Sequence, residues 1–432
     1  MARIIQFRGL RYNQKVVPNL SQVVTQPYDR ISEKDQELYY DRSPFNLVRL
    51  EKGKVLPGDN GENVYCRAAA TFAAWQKEGV LVRDAAPSLY VYHQAYTFAG
   101  QSLVRKGVVA LAKLEPELVH AHEKTLKGPK EDRLRLMRAT EANFGHIFML
   151  YSDPSRRADE ALARVIAEKP PTMEARDDFE NRHLIWQVTD PKVIAEVQAA
   201  LAQKDLYIAD GHHRYETAVN FMRECLEKGW RPTAPESFDA RMMTLFNIDE
   251  PGMTIRPWHR LVHAVAGFDA ERFLGQMKDD FEVVPRRSLA EVEEAMTAGR
   301  ARHTFGLYSG KRFATLALRD EGLMDRLLTG NQSRDWKRLD VSILHTAILE
   351  RFLGIGAKAL EEERNVTYTG DAAAAVREVD SGKEQALFLV NPTSPDEVRR
   401  VADHGERMPQ KSTDFYPKLL NGLVLTRMEI GK

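Results

Sequence analysis

Apolar residues along this chain follow two rhythms. One is a short continuous or alternating run. The other recurs every three or four positions, as in a helix with one buried face. Both meet in LYIADGHHRYETAVNFMRECLEKG, Leu206 to Gly229. It reads as an apolar strand, a sharp turn at Asp210-Gly211, and a helix with its apolar stripe at Tyr215, Ala218, Val219, Met222, Cys225 and Leu226. Gly229 is the stop. Upstream, the pattern predicts a helix over Asn63 to Glu78 and a hairpin of Leu89 to Phe98 with Leu103 to Leu114, turning near Gly100. A strand at Ile147 to Tyr151, a helix at Ala158 to Glu168, a strand at His183 to Val188 and a helix opened by Asp190-Pro191 follow. Downstream come a strand at Met242 to Ile248, helices at Ala270 to Met277 and Leu289 to Thr297, and a second hairpin turning at Ser309-Gly310-Lys311. A long amphipathic helix from about Asp340 and strands at Val366 to Thr369 and Ala386 to Val390 complete the pattern.

The succession predicts an α+β fold, mixed sheets with flanking helices, with the central loop at the carboxyl end of a strand. The 432 residues suggest more than one domain. The expected division is 1–230, ending in the strand–turn–helix, and 231–432, with one site shared between them.

Composition narrows the partners. The 62 basic and 62 acidic residues cancel, which gives no support to a dominant nucleic-acid surface. No apolar run approaches membrane-spanning length, and the N-terminus lacks the apolar core of a signal peptide. Cys66 and Cys225 are too few for a disulfide framework, so a reducing cytoplasmic compartment is expected. A homo-oligomer stays open.

The candidate chemistry centres on the turn. His212, His213 and Arg214 occupy the first helical turn, where exposed N–H groups and the positive dipole end favour an anion. Cations there oppose the dipole unless an anion joins them. Asp210 fits the cap position. Three other stretches bear chemistry. Asp29 lies on a loop before a helix capped by Ser32, and by composition alone it is a turn residue. His120, His122 and Glu123 cluster before a helix starting near Pro129, without the spacing of a helical zinc-protease motif. Lys411, Ser412, Thr413 and Lys418 form a late polar loop whose cation and hydroxyls suit phosphate or carboxylate. It lacks the glycines of a P-loop.

The run Asp210-Gly211-His212-His213-Arg214 resembles the motif of the free-serine kinases and, through them, the ParB/sulfiredoxin-like nucleotide-binding fold. QPYDRI at Gln26, HEKT at His122, YIADGHHRYETA at Tyr207, PWHRL at Pro257 and MPQKSTDFYPK at Met408 resemble a large bacterial family known mainly as a domain of unknown function. The resemblance implies ATP or ADP with Mg²⁺, its phosphates on Gly211, His212, His213 and Arg214. It implies transfer to a small hydroxylated substrate, free L-serine leading. Asp29, Glu123 and Asp210 are the candidate catalytic carboxylates, Asp29 or Glu123 serving as base. Lys411, Ser412, Thr413 and Lys418 are the candidate substrate grip. A ParB-like nucleotide-binding regulatory module and a metal-dependent hydrolase built on His120, His122, Glu123 and the central histidines, His212 and His213, are the alternatives; no residue is assigned as a metal ligand on the preferred reading.

Overall fold

The computed structural model describes residues 3–120, 127–167 and 169–432, and the chain forms two compact units. The first takes residues 3–120, 127–253 and 417–432; the second takes Thr254–Tyr416. The strand Ala240–Asn247, beyond residue 230, therefore lies in the first unit.

The first unit is built on a nine-stranded mixed sheet. Its path runs Val119–His120, Leu206–Asp210, Ile147–Tyr151, Ala240–Asn247, Gln101–Lys113, Leu89–Phe98, Arg182–Val188, Met173–Arg176, with Ile4–Ile5 also paired to Gln101–Lys113. The predicted hairpin forms its centre. Phe98 pairs with Gln101, and Ala99 and Gly100 both take positive φ, the two-residue turn that matches strand twist. Ile147–Tyr151 runs parallel to Ala240–Asn247 and antiparallel to Leu206–Asp210. Helices pack as neighbours: Asn63–Lys77 with Lys127–Thr140, Lys127–Thr140 with His212–Glu227, and Arg157–Ile166 with Pro191–Leu201. Asp190 caps the last of these by accepting from the Lys192 N–H, as Asp-Pro predicts.

The helix His212–Glu227 buries a broader face than its predicted stripe. Tyr215, Ala218, Val219 and Cys225 are buried, but so are Thr217 and Phe221, while Leu226 is exposed. The reason is geometric. This helix packs on both the strand Ile147–Tyr151 and the helix Lys127–Thr140, so it presents two faces to neighbours.

The second unit holds a six-stranded antiparallel sheet, ordered Phe281–Arg286, Arg312–Leu318, Thr304–Ser309, Ala386–Leu389, His259–Val262, Val366–Thr369. The strand period of two splits its apolar residues between two cores. Val262 and Phe388 join Phe273, Phe281, Leu344 and Ile348 on one face. Leu261, Leu387 and Leu389 join Val292 and Met296 on the other. The predicted second hairpin turns at Gly310 and Lys311, both with positive φ.

Gly107, in the middle of the first unit's hairpin, is required by close approach. A Cβ there meets the Phe246 ring at 2.5 Å and the Leu245 carbonyl at 2.7 Å. Gly107→Ala is expected to cost roughly 2 kcal/mol by overpacking, read as a lower urea midpoint. An unchanged midpoint would show that the two strands separate without cost.

Candidate functional site

The strand Leu206–Asp210 ends at Gly211, which has φ 96° and ψ 27° and serves as the helix N-cap without any side-chain cap. Only glycine adopts this left-handed geometry readily. The space is closed as well, since a Cβ would lie 3.1 Å from Arg214 Nε. Asp210 is thus the last strand residue, not the cap expected from sequence. The left-handed residue moves the cap one position on, and the Asp210 carboxylate turns to other partners. Arg214 Nη2 donates to its Oδ2 at 3.3 Å, and Lys418 Nζ lies 3.9 Å from the same oxygen. The opening N–H groups of the helix point out of its positive end.

Arg214 is buried inside the turn rather than displayed on it. Its Nη1 donates to the His146 carbonyl, so the guanidinium ties the helix start to the chain entering Ile147–Tyr151. Burial pulls the Arg214 charge down, but Asp210, Asp29, Glu51 and Tyr28 more than offset this and hold its pKa above the ordinary value. Burial pushes Asp210 toward the neutral acid. Lys418, Arg214, Arg30 and His212 outweigh that and keep it ionised, well below the usual carboxylate range.

Asp29 sits on the one-turn helix Tyr28–Arg30, exposed, ahead of a helix whose start Ser32 and Asp35 cap reciprocally. Its charge reaches the turn. Burial lowers the His213 pKa, while Asp29 and Glu216 act to raise it. His213 is half-buried, and His212 is buried. The distant segments bearing Asp29 and Lys418 are therefore gathered at one turn of the first unit.

Lys418 is placed by a buried cation. Arg105 is 1% exposed, stacked 4.6 Å over the Phe148 ring, with Nε donating to Gln94 Oε1 at 2.9 Å and Nη2 to the Pro417 carbonyl. Gln94 Nε2 donates to the Lys418 carbonyl at 2.8 Å, and Tyr92 Oη accepts from the Leu420 N–H at 3.2 Å. The strand pair Leu89–Phe98 and Gln101–Lys113 thereby fixes the chain on which Lys418 stands.

Lys411, Ser412 and Thr413 belong to the second unit. There Lys411 Nζ stands 5.5 Å over the Trp258 ring, and the Ser412 hydroxyl donates to the Pro409 carbonyl at 2.5 Å. The Thr413 carbonyl accepts from Trp258 Nε1 at 3.2 Å. Fully buried Arg260 donates to the Trp258 and Lys411 carbonyls and to His345 Nε2, so PWHRL and the late loop form one knot. His120 stacks on Tyr207 at 4.9 Å on the edge strand. His122 and Glu123 lie outside the described residues. Among the described residues, no three His, Cys, Asp or Glu side chains gather as metal ligands.

Sequence reading gave no role at the turn to three charged residues beneath it. Glu51 is buried and accepts from Asn421 Nδ2 at 2.8 and 2.7 Å. Arg133 donates to the Glu51 carbonyl at 2.8 Å and lies 4.1 Å over the Tyr28 ring. Arg241 is buried on the strand Ala240–Asn247. The available signal was Arg241 itself, a charge directly before the buried run MMTLF.

His146 gives the site a pH signature. Its Nε2–H donates to the Val424 carbonyl at 3.2 Å, so Nδ1 accepts from the Thr244 hydroxyl at 2.8 Å. Burial, with Arg214 and Arg241 close by, pushes its pKa down to about 3. An unfolded histidine takes its proton near pH 6.5 (about). Between those values the unfolded chain binds the proton and the folded chain does not. This histidine's contribution is complete above the unfolded value and is lost as pH falls toward the folded one, at about 1.4 kcal/mol per pH unit. His146→Gln is expected to flatten the acid limb of the stability profile measured by urea unfolding; an unaltered slope would remove His146 from that role. For Arg214→Ala the expected cost is about 3 kcal/mol, because Asp210 and the His146 carbonyl lose a buried donor. Adding Asp210→Asn should recover part of the lost thermal midpoint.

Comparison with known proteins adds the following. A free serine kinase in complex with AMP is 14% identical, covers 71% of this chain and 86% of its own, and superposes with a TM-score of 0.35. SbnI with C-terminal truncation from Staphylococcus aureus is 12% identical over 73% of this chain and 86% of its own, TM-score 0.35. A conserved hypothetical protein from Pyrococcus furiosus is 13% identical over 72% and 92%, TM-score 0.34. These values are too low for an activity to be carried across. No curated protein matches. The model of DUF1015, described as a protein of unknown function, matches residues 4–342, and the chain belongs to that family.

Proposed function

We propose that the first unit is a nucleotide-dependent phosphotransferase with a ParB/sulfiredoxin-like core, acting on a small hydroxylated metabolite, with free L-serine the leading acceptor. One observation carries the reading: a glycine-capped helix start, with no side chain capping it, gathers His212, His213, Asp29 and Lys418 around an ionised Asp210. Such a helix end accepts phosphate through its backbone N–H groups. When bound, ATP or ADP supplies the phosphoryl group, and Mg²⁺ offsets its charge.

The chain's own residues divide the work. Gly211 lets the backbone approach the anion, and the His212 and His213 N–H groups supply donors there. Arg214 acts from within, since its Nη1 and Nη2 hold the His146 carbonyl and Asp210. Its part is to fix the turn and lend positive potential. Lys418 adds a second cation 3.9 Å from Asp210 Oδ2. Asp210 and Asp29 are the carboxylates available to a hydrated Mg²⁺. Asp29, exposed beside the histidines, is the residue assigned to take the acceptor's hydroxyl proton.

Purified protein with Mg²⁺, ATP or ADP and a panel of hydroxy amino acids should yield phosphoserine by mass spectrometry. Asp29→Asn should lower kcat by about a hundredfold or more while nucleotide affinity in calorimetry is retained. Failure of every acceptor, with nucleotide bound, would end the kinase reading.

A further inference from the structure

Beneath the turn, on the inner side of Arg214, the first unit holds a partly open cavity of about 30 Å³ lined by Glu51, Arg133, Arg214 and Arg241 together with Leu136 and Phe144. That is room for one or two guests of water size. Three guanidinium groups face one carboxylate across it.

Two of the three cations are provided for. Arg214 holds Asp210 and the His146 carbonyl, and Arg133 holds Asp132 and the Glu51 carbonyl. Arg241 is not. It is 4% exposed, and only its Nη2 has an acceptor, the Gly145 carbonyl at 3.0 Å. Its Nε and Nη1 are buried and find no acceptor among the described residues. A buried guanidinium with two idle N–H groups is costly unless something accepts from both. Glu51 does not serve, because no hydrogen bond joins its carboxylate to Arg241 Nε or Nη1; it accepts from Asn421 Nδ2 instead. Gly145 shows how tightly that pair is held: a Cβ there would meet Asn421 Nδ2 at 3.0 Å and Glu51 Oε1 at 3.1 Å. Burial raises the Glu51 pKa, which weakens its value as a counter-charge. Burial, then Arg214, lowers the Arg241 pKa to about 9 despite Glu51. Positive potential is in surplus at this spot, and the volume is too small for a phosphate with its shell of donors.

We propose that this cavity is a binding site for a single halide-sized anion, held by the Nε and Nη1 donors of Arg241 with Arg133 and Arg214 as its neighbours. The guest would neutralise the cluster behind the turn and stiffen the support of Arg214. The inference stands on the cavity and Arg241 alone, whether or not the protein transfers phosphate.

The test uses the full chain without nucleotide. Thermal midpoints are measured in sodium chloride, bromide, inorganic phosphate and gluconate at constant ionic strength, and crystals are grown in bromide. A saturable rise in midpoint with chloride and bromide, absent in gluconate, and an anomalous bromide peak within hydrogen-bond distance of Arg241 are expected. Arg241→Gln should abolish the saturable rise. Should that variant fail to fold, Glu51→Gln decides: removing the competing carboxylate should tighten the halide midpoint concentration by about tenfold, one pH-unit equivalent of charge interaction. Equal midpoints in halide and gluconate, a water without anomalous signal at Arg241, or a rise with phosphate alone would each overturn the proposal. Nucleotide affinity, titrated separately in gluconate, reports on the phosphotransferase reading and is independent of these outcomes.

Discussion

Everything at the central turn depends on burying one guanidinium. Arg214 leaves water at a cost of several kcal/mol, and its burial is tolerable only because acceptors sit at fixed positions around it. Asp210 supplies one, four residues back along the same turn, and the His146 carbonyl supplies another from the residue before the strand Ile147–Tyr151. Gly211 leaves room for the guanidinium where a Cβ would crowd it, and its left-handed conformation opens a helix start without a side-chain cap.

That arrangement changes how the DGHHR run is understood. Read as a string, its basic residues all look like phosphate contacts. In the fold they separate by depth. His213 is half-buried near Asp29, His212 is buried, and Arg214 is buried with two donors committed. Positive potential at the turn thus comes partly from a charge that stays behind it. Lys418 comes from 208 residues further along the chain to approach the same Asp210 oxygen as Arg214.

Local patterns were legible in the sequence where neighbours along the chain make the structure. The hairpin at Ala99-Gly100, the Asp190-Pro191 helix start and the strand–turn–helix all follow from short-range rules. The missing pieces depend on distance. Asp210 was expected as a cap because only its immediate successors were visible, and its real partners, Arg214 and Lys418, win by charge. Glu51 was not noticed, since its partner Asn421 lies 370 residues away. Arg241 stood just outside a strand read as beginning at Met242, yet the strand begins at Ala240 and carries the arginine inward. Burial of a charge is a tertiary fact, and periodicity does not report it.

The return of Pro417–Lys432 to the first unit has a temporal meaning. Lys418 and Asn421 supply partners to Asp210 and Glu51, and both follow the whole of Thr254–Tyr416 in the order of synthesis. Until that segment is made, Glu51 lacks Asn421 and the turn lacks its second cation, Lys418. The partners of the turn are thereby tied to a segment that follows the second unit in sequence. Contacts of such long sequence separation form late and slowly. A chain lacking Pro417–Lys432 would keep the strands of the first sheet but lose Lys418 beside Asp210 and Asn421 beside Glu51.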